Sequence, residues 1–399
     1  MAQDKDQKTL NVPPLRFPGF TDEWKKTTLG EITTNFNLRN KEQIDYPMFS
    51  VTNNRGFIPQ SEQFEDREMK GEDIKAYKVI HHNDFAYNPA RINVGSIAKY
   101  NGYEPCMISS LYVCFKANNE VNEDWLMHLL RTPKVQYYYQ LNGEGGVRIY
   151  LFYPNFARIR TSIPSIEEQK KIAKILSIID ERIATQNKII EDLKKLKSAI
   201  SAQLYEGHYI TDNSNGWKIV RLGDITENFS IRNKNSGSYP MYSVTNTSGF
   251  SPQHEVFEGK EIKDEDISIY KIIHKGEFAY NPARINVGSI GRYDGEAPCM
   301  ISSLYVCFRP TAEVDSDWLL YYLQSAKKIY QYGIFGEGGV RIYLFYPNFS
   351  RIEALLPPLK VQKEIASILK SFNRKIKLDE LLLSKYQEQK KFLLSNMFI

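Results

Sequence analysis

A segment of seven residues that combines an aromatic ring, two amides and a guanidinium occurs twice in the chain. Its aromatic and polar members are Tyr87, Asn88, Arg91 and Asn93 in the first copy, and Tyr280, Asn281, Arg284 and Asn286 in the second. Arginine can bind guanine O6 and N7 or a phosphate, and asparagine can bind adenine N6 and N7. Pro89 predicts a turn, so the polar side chains are expected at the surface. The segment predicts a contact with nucleic acid, with a turn cap by Asn88 and an ion pair of Arg91 as the alternatives.

A glycine-rich segment, also present twice, adds one arginine to each copy. It reads Gly143-Glu144-Gly145-Gly146-Val147-Arg148, and its counterpart contains Arg341. The glycines either let the backbone approach a phosphate or form a hairpin turn. Arg148 and Arg341 are therefore candidate DNA contacts. The aromatic residues that follow, Tyr150, Phe152 and Tyr153, are expected in the hydrophobic core rather than on a surface that stacks with bases.

Signatures of catalysis are missing from the sequence. Asn88-Pro89-Ala90-Arg91 superficially resembles the Asn-Pro-Pro-Tyr motif of adenine methyltransferases, but it lacks the second proline and the aromatic residue. The glycines at 143–146 precede a predicted strand, whereas a nucleotide-binding glycine loop follows one. Only His81 and His274 are related by the repeat, and no nearby serine or cysteine makes a nucleophile with them. With no Walker loop or His/Cys cluster, we expect no catalytic residue, metal or cofactor in this chain.

The composition is that expected of a soluble globular protein. The 399 residues include 52 Lys and Arg against 47 Asp and Glu, and the net charge of +5 permits a polyanionic partner without proving one. A polar N-terminus and the lack of an apolar stretch of about 18–20 residues predict neither a secretion signal nor a membrane span. The four cysteines form two C-x7-C pairs, Cys106 with Cys114 and Cys299 with Cys307. We expect each pair on one face of a strand, as buried and reduced thiols of a cytoplasmic protein.

The chain is an internal duplication with a period of 193 residues. The identical segments are Phe85–Ile97 and Phe278–Ile290, Pro105–Phe115 and Pro298–Phe308, and Gly143–Phe156 and Gly336–Phe349. The same offset relates Trp24 to Trp217 and Trp125 to Trp318. Solenoid repeats are about 20–50 residues long. A period of this length is instead that of a domain plus a long connector.

The last part of each repeat predicts a long helix. Residues 165–205 contain no glycine or proline and have apolar residues at helical spacing. Ser165 and Glu168 predict a capping box at its start, and Gly207 predicts its end. About 40 residues at a rise of 1.5 Å give a helix about 60 Å long. The second copy begins at about Pro358 and lacks the capping box.

These patterns predict the domain organisation. We expect a mixed α/β chain with an N-terminal extension (residues 1–20), two similar globular domains (21–163 and 207–356) and two spacer helices (164–206 and 357–399). The apolar stripes of the helices are expected to pair as an antiparallel coiled coil, which relates the domains by an approximate twofold axis. Such an arrangement suits either a spacer or scaffold, or the reading of two DNA half-sites.

Two motifs at fixed places in each repeat resemble those of a known family. The domains open with Trp24-x4-Leu29-Gly30-Glu31-Ile32 and Trp217-x4-Leu222-Gly223-Asp224-Ile225. The helices open with Ser165-Ile166-x2-Gln169-x2-Ile172-Ala173-x2-Leu176 and Pro358-Leu359-x2-Gln362-x2-Ile365-Ala366-x2-Leu369. Along essentially its whole length the chain resembles the specificity subunit of type I restriction–modification systems. The first helix departs from that family's pattern only by Ser-Ile for Pro-Leu.

The resemblance implies a DNA specificity subunit without catalytic activity. Each domain would read one half of a split double-stranded DNA target, and the helices, with Gln169, Ile172, Gln362 and Ile365, would dock two modification subunits. Those partners would hold S-adenosylmethionine and methylate adenine N6, and restriction subunits would add translocation and cleavage that use ATP and Mg. Because the domains are nearly identical, we expect a near-palindromic bipartite target. A self-contained adenine-specific DNA methyltransferase and a non-catalytic scaffold are the alternatives.

Overall fold

The computed structural model describes residues 10–63, 74–145, 149–205, 216–257, 266–339 and 341–399. The chain divides into two compact units, unit 1 with Met1–Asn187 and Leu381–Ile399, and unit 2 with Lys188–Glu380. Each unit therefore contains one domain and a part of each long helix. The mixed α/β class predicted from the sequence is confirmed.

Unit 1 alternates short strands and short helices before its long helix begins. Its strands are β1 (Lys25–Thr28), β2 (Thr33–Phe36), β3 (Phe49–Thr52), β4 (Gly56–Pro59), β5 (Lys78–Ile80), β6 (Phe85–Tyr87), β7 (Ile97–Lys99), β8 (Cys106–Ile108), β9 (Val113–Ala117) and β10 (Arg160–Ile163). Its helices are α1 (Leu29–Ile32), α2 (Gln60–Gln63), α3 (Glu123–Leu130), α4 (Pro133–Leu141), α5 (Tyr153–Ala157) and the first part of α6 (Ile166–Tyr205), with 3₁₀ helices at Ile74–Ala76 and Ile92–Val94.

A four-stranded antiparallel sheet with the strand order β2-β9-β6-β7 forms the centre of this domain. Phe85 lies opposite Phe115 on neighbouring strands, and their rings stack with centroids 5.0 Å apart. Aromatic cross-strand pairs of this kind stabilise a sheet. Beside the sheet, α3 begins where the Asn122 side chain accepts a hydrogen bond from the Trp125 amide at 2.9 Å. This cap places the fully buried Trp125 ring in the core.

Unit 2 repeats these elements in the same order. Its strands are β11 (Lys218–Arg221), β12 (Thr226–Phe229), β13 (Tyr242–Thr245), β14 (Gly249–Pro252), β15 (Lys271–Ile273), β16 (Phe278–Tyr280), β17 (Ile290–Arg292), β18 (Cys299–Ile301), β19 (Val306–Pro310) and β20 (Glu353–Leu356). Its helices are α7 (Leu222–Ile225), α8 (Gln253–Val256), α9 (Ser316–Leu323), α10 (Ala326–Phe335), α11 (Tyr346–Phe349) and the first part of α12 (Leu359–Asn396), with 3₁₀ helices at Ile267–Ile269 and Ile285–Val287. The sheet order β12-β19-β16-β17 matches that of unit 1, so the sequence duplication is also a duplication of structure.

In unit 1 the two long helices run antiparallel and complete the domain core. Ile172 near the start of α6 and Met397 just after the end of α12 belong to one buried cluster. Further along, Asp180 of α6 forms an ion pair with Lys390 of α12. Because the residue numbers rise on one helix while they fall on the other, the helices are antiparallel in this unit.

Unit 2 contains a second antiparallel helix pair. Leu204, near the end of α6, packs in one core cluster with Ile365, near the start of α12. Lys194 of α6 pairs with Glu380 of α12 at 2.7 Å. The apolar stripe of each long helix therefore packs partly against the other helix and partly against the domain that the helix follows.

The cysteines are buried and free, as expected, but their predicted placement on a single strand is wrong. Cys106 lies in β8 and Cys114 in β9, because residues 109–112 separate two strands that belong to different sheets. Cys299 and Cys307 are divided between β18 and β19 in the same way. Burial raises the pKa of all four thiols to about 12, so they remain protonated at neutral pH.

The first long helix begins directly after Ser165 and has 40 residues, as the sequence predicts. The predicted capping box is only half formed. The Ser165 hydroxyl accepts a hydrogen bond from the Glu168 amide at 3.4 Å, but the Glu168 carboxylate accepts bonds of 2.7 and 2.8 Å from Arg16 instead. Gly207, the predicted end, lies outside the described residues. None of the described helices is both long enough and apolar enough to span a membrane.

Candidate nucleic-acid interface

The segment after β6 folds into a tight polar turn, as Pro89 predicts. The Asn88 side-chain oxygen accepts a hydrogen bond from the Ala90 backbone amide at 3.0 Å. The backbone amide of Asn88 donates to the Ser96 carbonyl at 3.1 Å. Gly95 has φ +94°, the left-handed conformation that favours glycine, and it leads the chain into β7. Asn281 makes both bonds at the same distances in unit 2. Asn88 and Asn281 therefore cap their turns, which is the alternative to a nucleic-acid contact that the sequence left open for Asn88.

The arginines of the turns are exposed. Among the residues that the structure describes, neither the Arg91 nor the Arg284 guanidinium forms an ion pair or a side-chain hydrogen bond. Asn93 and Asn286, in the 3₁₀ helices that follow, are half-buried. The guanidinium groups can thus bind an external acceptor without first breaking an internal bond, whether that acceptor is a base edge or a phosphate.

The expectation of a surface position is wrong for the tyrosines of the segment. Tyr87 and Tyr280 are fully buried at the ends of β6 and β16. Burial raises the pKa of both phenols well above the ordinary value. The Tyr87 ring packs on Phe156 with centroids 5.4 Å apart, so alternation along the strand has turned this side chain into the core.

A polar hairpin tip lies beside the Arg91 turn. The Ser96 hydroxyl donates to the Val51 carbonyl at 2.7 Å and joins the turn to β3. The tip residues Asn53 and Asn54 then line a cleft of about 420 Å³ together with Asn88 and Arg91. Unit 2 has the equivalent bond, from the Ser289 hydroxyl to the Val244 carbonyl at 2.6 Å.

The sequence marked residues 53–57 only as a segment that differs between the repeats and could alter one base of the target, not as a candidate site. The Asn-Asn-Arg-Gly sequence at the hairpin tip indicates a turn between two strands. The position of that turn next to Arg91 depends on a contact between segments about forty residues apart, which no local pattern reveals. The two units differ here, because Thr247 and Ser248 replace Asn54 and Arg55.

The described residues on either side of the first glycine-rich segment pair as in a hairpin, which was one of its two predicted structures. Glu144 and Tyr150 exchange two backbone hydrogen bonds of 2.8 Å, and the Leu151 amide donates to the Pro89 carbonyl at 2.9 Å. In unit 2, Gly338 has φ +119°, and a Cβ there would lie 2.2 Å from the Arg341 carbonyl oxygen. The loop therefore requires glycine for its own geometry. Arg341 is exposed. Arg148 lies outside the described residues.

The aromatic residues after this hairpin divide between core and surface, and the predicted core position of Tyr150 and Phe152 is wrong. Phe152 is 50% exposed and stacks on Tyr150, which is 38% exposed, with centroids 6.2 Å apart. Tyr343 and Phe345 form the same pair at 6.2 Å in unit 2. Only Tyr153 points inward, where its hydroxyl donates to the Thr33 carbonyl at 3.0 Å. Each unit thus presents an exposed aromatic pair on the loop next to its arginine turn.

The helix residues predicted to dock partner subunits are buried inside this chain. Gln169 and Gln362 are 1% exposed, and Ile172 and Ile365 belong to the domain cores. The Gln169 amide group accepts from the Asn122 amide at 2.8 Å and donates to the carbonyls of Glu120 and Pro164. These side chains attach each helix to its own domain, and the docking of partners by these helices stays a prediction. Gln362 repeats the three bonds in unit 2.

No arrangement for acid–base or nucleophilic chemistry is visible at the turns. In the described part of the chain, no group of three or more His, Cys, Asp or Glu side chains can hold a metal ion. His81 and His274 are exposed, and their rings lie 3.8 and 3.6 Å from Asp84 and Glu277 respectively. What the turns offer is hydrogen-bond donors, amides and aromatic surface, which suit binding rather than bond breaking.

The model of one protein family matches most of the chain. The model of the type I restriction modification DNA specificity domain matches it twice, at residues 21–195 and 214–385. A protein assigned as the MjaX type I restriction enzyme specificity subunit of Methanocaldococcus jannaschii is 25% identical over 406 residues, which cover 90% of this chain and 91% of that protein. The MjaVIII type I restriction enzyme specificity subunit of the same organism is 24% identical over 68% of each chain.

Solved structures share the fold at low sequence identity. The crystal structure of a type I restriction–modification system S subunit from M. genitalium matches with a TM-score of 0.60 and 15% identity, and covers 97% of this chain and 99% of that one. A chain from a study of complex assembly and conformational transition in the type I R-M system matches with a TM-score of 0.56 and 17% identity, over 96% of this chain and 98% of its own.

Proposed function

Since the chain belongs to the family of type I restriction–modification DNA specificity subunits, we propose that each of its two domains reads one half of a split DNA target. The chain supplies sequence recognition, and the chemistry is left to partner subunits. In this proposal S-adenosylmethionine, ATP and Mg serve the chemistry of those partners.

The observation that carries the proposal is the exposed arginine of each turn, whose guanidinium has no partner among the described residues. Arg91 lines a cleft with the amides of Asn53 and Asn54, and side chains of this type match the donors and acceptors of base edges. The exposed Tyr150–Phe152 pair lies on the adjoining loop, which the Leu151–Pro89 hydrogen bond joins to the turn. Arg284 has the same surroundings in unit 2 except at the hairpin tip.

The duplication suggests what kind of target is read. The turns are identical in the two units, whereas the hairpin tips differ at two positions, Asn54 against Thr247 and Arg55 against Ser248. Similar readers prefer similar half-sites. If the antiparallel helices relate the domains by a twofold axis, the second half-site is inverted on the opposite strand. The target is then a near-palindrome in two parts, with one methylated adenine in each half.

The proposed partners are two modification subunits, together with restriction subunits where the host has them. Because Gln169 and Gln362 are buried within the chain, the partners must contact other helix surface. Exposed lysines on the outer faces of the helices offer such a surface, among them Lys170, Lys171, Lys174, Lys363 and Lys370.

Sequencing of methylated adenines in the host genome, with and without this gene, tests the proposal. We expect one bipartite motif to lose its methylation when the gene is deleted and to regain it when the gene is restored. Restoration with the Arg91→Ala, Arg284→Ala double variant is expected to leave the motif unmethylated or weakly methylated. If deletion changes no methylated motif, the chain does not direct methylation. If the motif lacks inverted similarity between its halves, the near-palindrome is wrong and the divergent loops read the bases.

A further inference from the structure

A cleft in unit 2 is lined by basic and polar side chains together with apolar ones. It has a volume of about 390 Å³ and lies between the helix pair and the start of α10. Its lining includes Lys194, Lys197, Lys327, Ser198 and Asn373, and no aspartate or glutamate belongs to the lining that the structure describes. The cleft therefore presents positive charge and hydrogen-bond donors without a lining carboxylate.

Lys197 is the half-buried cation of this cleft. Burial lowers the pKa of its ammonium group, and no ion pair of Lys197 occurs among the described residues. Lys194, one helical turn earlier, is instead paired with Glu380 at 2.7 Å. A partly desolvated ammonium without a counter-ion is unfavourable. An anion in the cleft would remove that cost.

The first turn of α10 adds donors to the same cleft. The first amides of a helix have no acceptor within the helix. Ser325, at the N-cap, makes no side-chain hydrogen bond to them, and its hydroxyl donates to the Tyr322 carbonyl at 2.7 Å. The turn contains Lys327 and Lys328 and no acidic residue, although the helix dipole favours negative charge at this end. A bound anion would satisfy both the amides and the dipole.

The equivalent lysine in unit 1 has its own counter-ion. Lys390, 193 positions after Lys197, forms an ion pair with Asp180. The counterpart of Asp180 in unit 2 is Asn373, a neutral residue in the lining of the cleft. One exchange of carboxylate for amide therefore removes from unit 2 the counter-ion that the lysine has in unit 1.

The equivalent helix start in unit 1 is also satisfied. Thr132 accepts a hydrogen bond from the Val135 amide at 3.4 Å, and Pro133 at the first helical position has no amide to satisfy. Unit 2 has Ser325 and Ala326 at these positions, with no side-chain cap. Unit 1 and unit 2 thus differ at three positions, one that removes a negative charge from the cleft of unit 2 and two that change how the first amides of the helix are satisfied.

We propose that the unit 2 cleft binds a phosphate-type oxyanion. Lys197 and Lys327 supply the charge, and the first amides of α10 supply the hydrogen bonds. The phosphate group is that of free phosphate, of a nucleotide or of a DNA backbone, three sources that share this chemistry. The site is independent of the arginine turns and of the sequence that they read.

Isothermal titration of the full-length chain with inorganic phosphate, in a buffer without phosphate and at constant ionic strength, tests the site. We expect saturable binding by the wild-type chain. Asn373→Asp, which recreates the carboxylate of unit 1, and Lys197→Gln should each raise the dissociation constant about tenfold or more, since each removes one unit of net positive charge at close range. Lys390→Gln is the matched control in unit 1 and should leave phosphate binding unchanged. Circular dichroism of each variant checks the fold.

Titrations with adenosine monophosphate and with a short duplex of unrelated sequence distinguish the sources. Tighter binding of the nucleotide than of phosphate, lost in Asn373→Asp, identifies a nucleotide. Duplex binding that phosphate displaces and that Asn373→Asp weakens identifies a DNA backbone. Equal affinity for phosphate and nucleotide shows that the site recognises the phosphate group and no other part of the nucleotide. The proposal is overturned if phosphate does not bind saturably, or if Asn373→Asp and Lys390→Gln have equal effects on its affinity.

Discussion

The backbone amide of Leu151 donates a hydrogen bond of 2.9 Å to the carbonyl of Pro89. This bond joins the turn of Arg91 to the loop with the exposed Tyr150–Phe152 pair, so two segments distant in the chain present one surface. The Leu344 amide and the Pro282 carbonyl repeat the bond at 2.9 Å in unit 2. A surface held by main-chain hydrogen bonds is preorganised, which lowers the entropic cost of binding.

Arg91→Ala and Arg284→Ala should each weaken specific DNA binding by the assembled complex. A loss of about 1–3 kcal/mol confined to one base pair is expected if the guanidinium reads guanine. If it contacts phosphate, the loss is uniform across sequences and the salt slope falls by about one unit. Fluorescence anisotropy over a range of salt concentrations measures both. Arg374→Ala, at an exposed position on α12, is the charge-matched control. Unchanged affinity in folded variants would exclude a DNA contact for both arginines.

The hairpin tip offers a direct test of base reading. Asn54→Thr combined with Arg55→Ser makes the tip of unit 1 identical to that of unit 2. We expect the two halves of the methylated target to become more alike, because a difference beside the arginine turn has been removed. Sequencing of methylated adenines measures the change, and the reciprocal pair Thr247→Asn and Ser248→Arg should converge on the other half-site. An unaltered target in both swaps would show that the tips do not read bases.

Gln169→Leu should destabilise the chain rather than impair partner binding. The substitution leaves the Asn122 amide and the carbonyls of Glu120 and Pro164 without their buried partner. The free energy of unfolding is expected to fall by about 1–3 kcal/mol in urea titrations. Gln389→Leu, at an exposed position on α12, should change it little. Normal stability together with lost binding of modification subunits would instead support the docking role.

His128 should make unit 1 sensitive to acid. Burial lowers the pKa of its imidazole to about 4, an effect that Asp180 partly opposes. Between this value and the ordinary value of about 6.5 the unfolded chain binds the proton and the folded chain does not. Stability therefore falls as the pH drops through this window, by about 3 kcal/mol in total.

Urea titrations from pH 7 to pH 4 measure this dependence. His128→Tyr, which places the residue of unit 2 (Tyr321) at this position, should have a shallower loss of stability than the wild type. His82→Tyr, at an exposed position, should keep the wild-type slope. An identical slope in His128→Tyr and the wild type would show that His128 is not the acid-sensitive group.

The sequence by itself determined the features that depend on local pattern. The duplication, the long helix after Ser165 and the turn at Pro89 all follow from spacing within short stretches, because helical periodicity and the fixed φ of proline act between near neighbours. The local sequence also indicated two possible roles for Asn88, a nucleic-acid contact or a turn cap. The hydrogen bond that its side chain accepts from the Ala90 amide shows that it caps the turn.

Only the tertiary structure decided which of the selected side chains are exposed. Tyr87 and Arg91 are four residues apart, yet one is fully buried and the other is exposed, since burial depends on what packs against each face of a strand. Glu168 leaves its capping box for Arg16 because a buried carboxylate is stabilised more by a guanidinium than by a backbone amide. Such pairings join residues far apart in the chain, and local spacing contains no information about them.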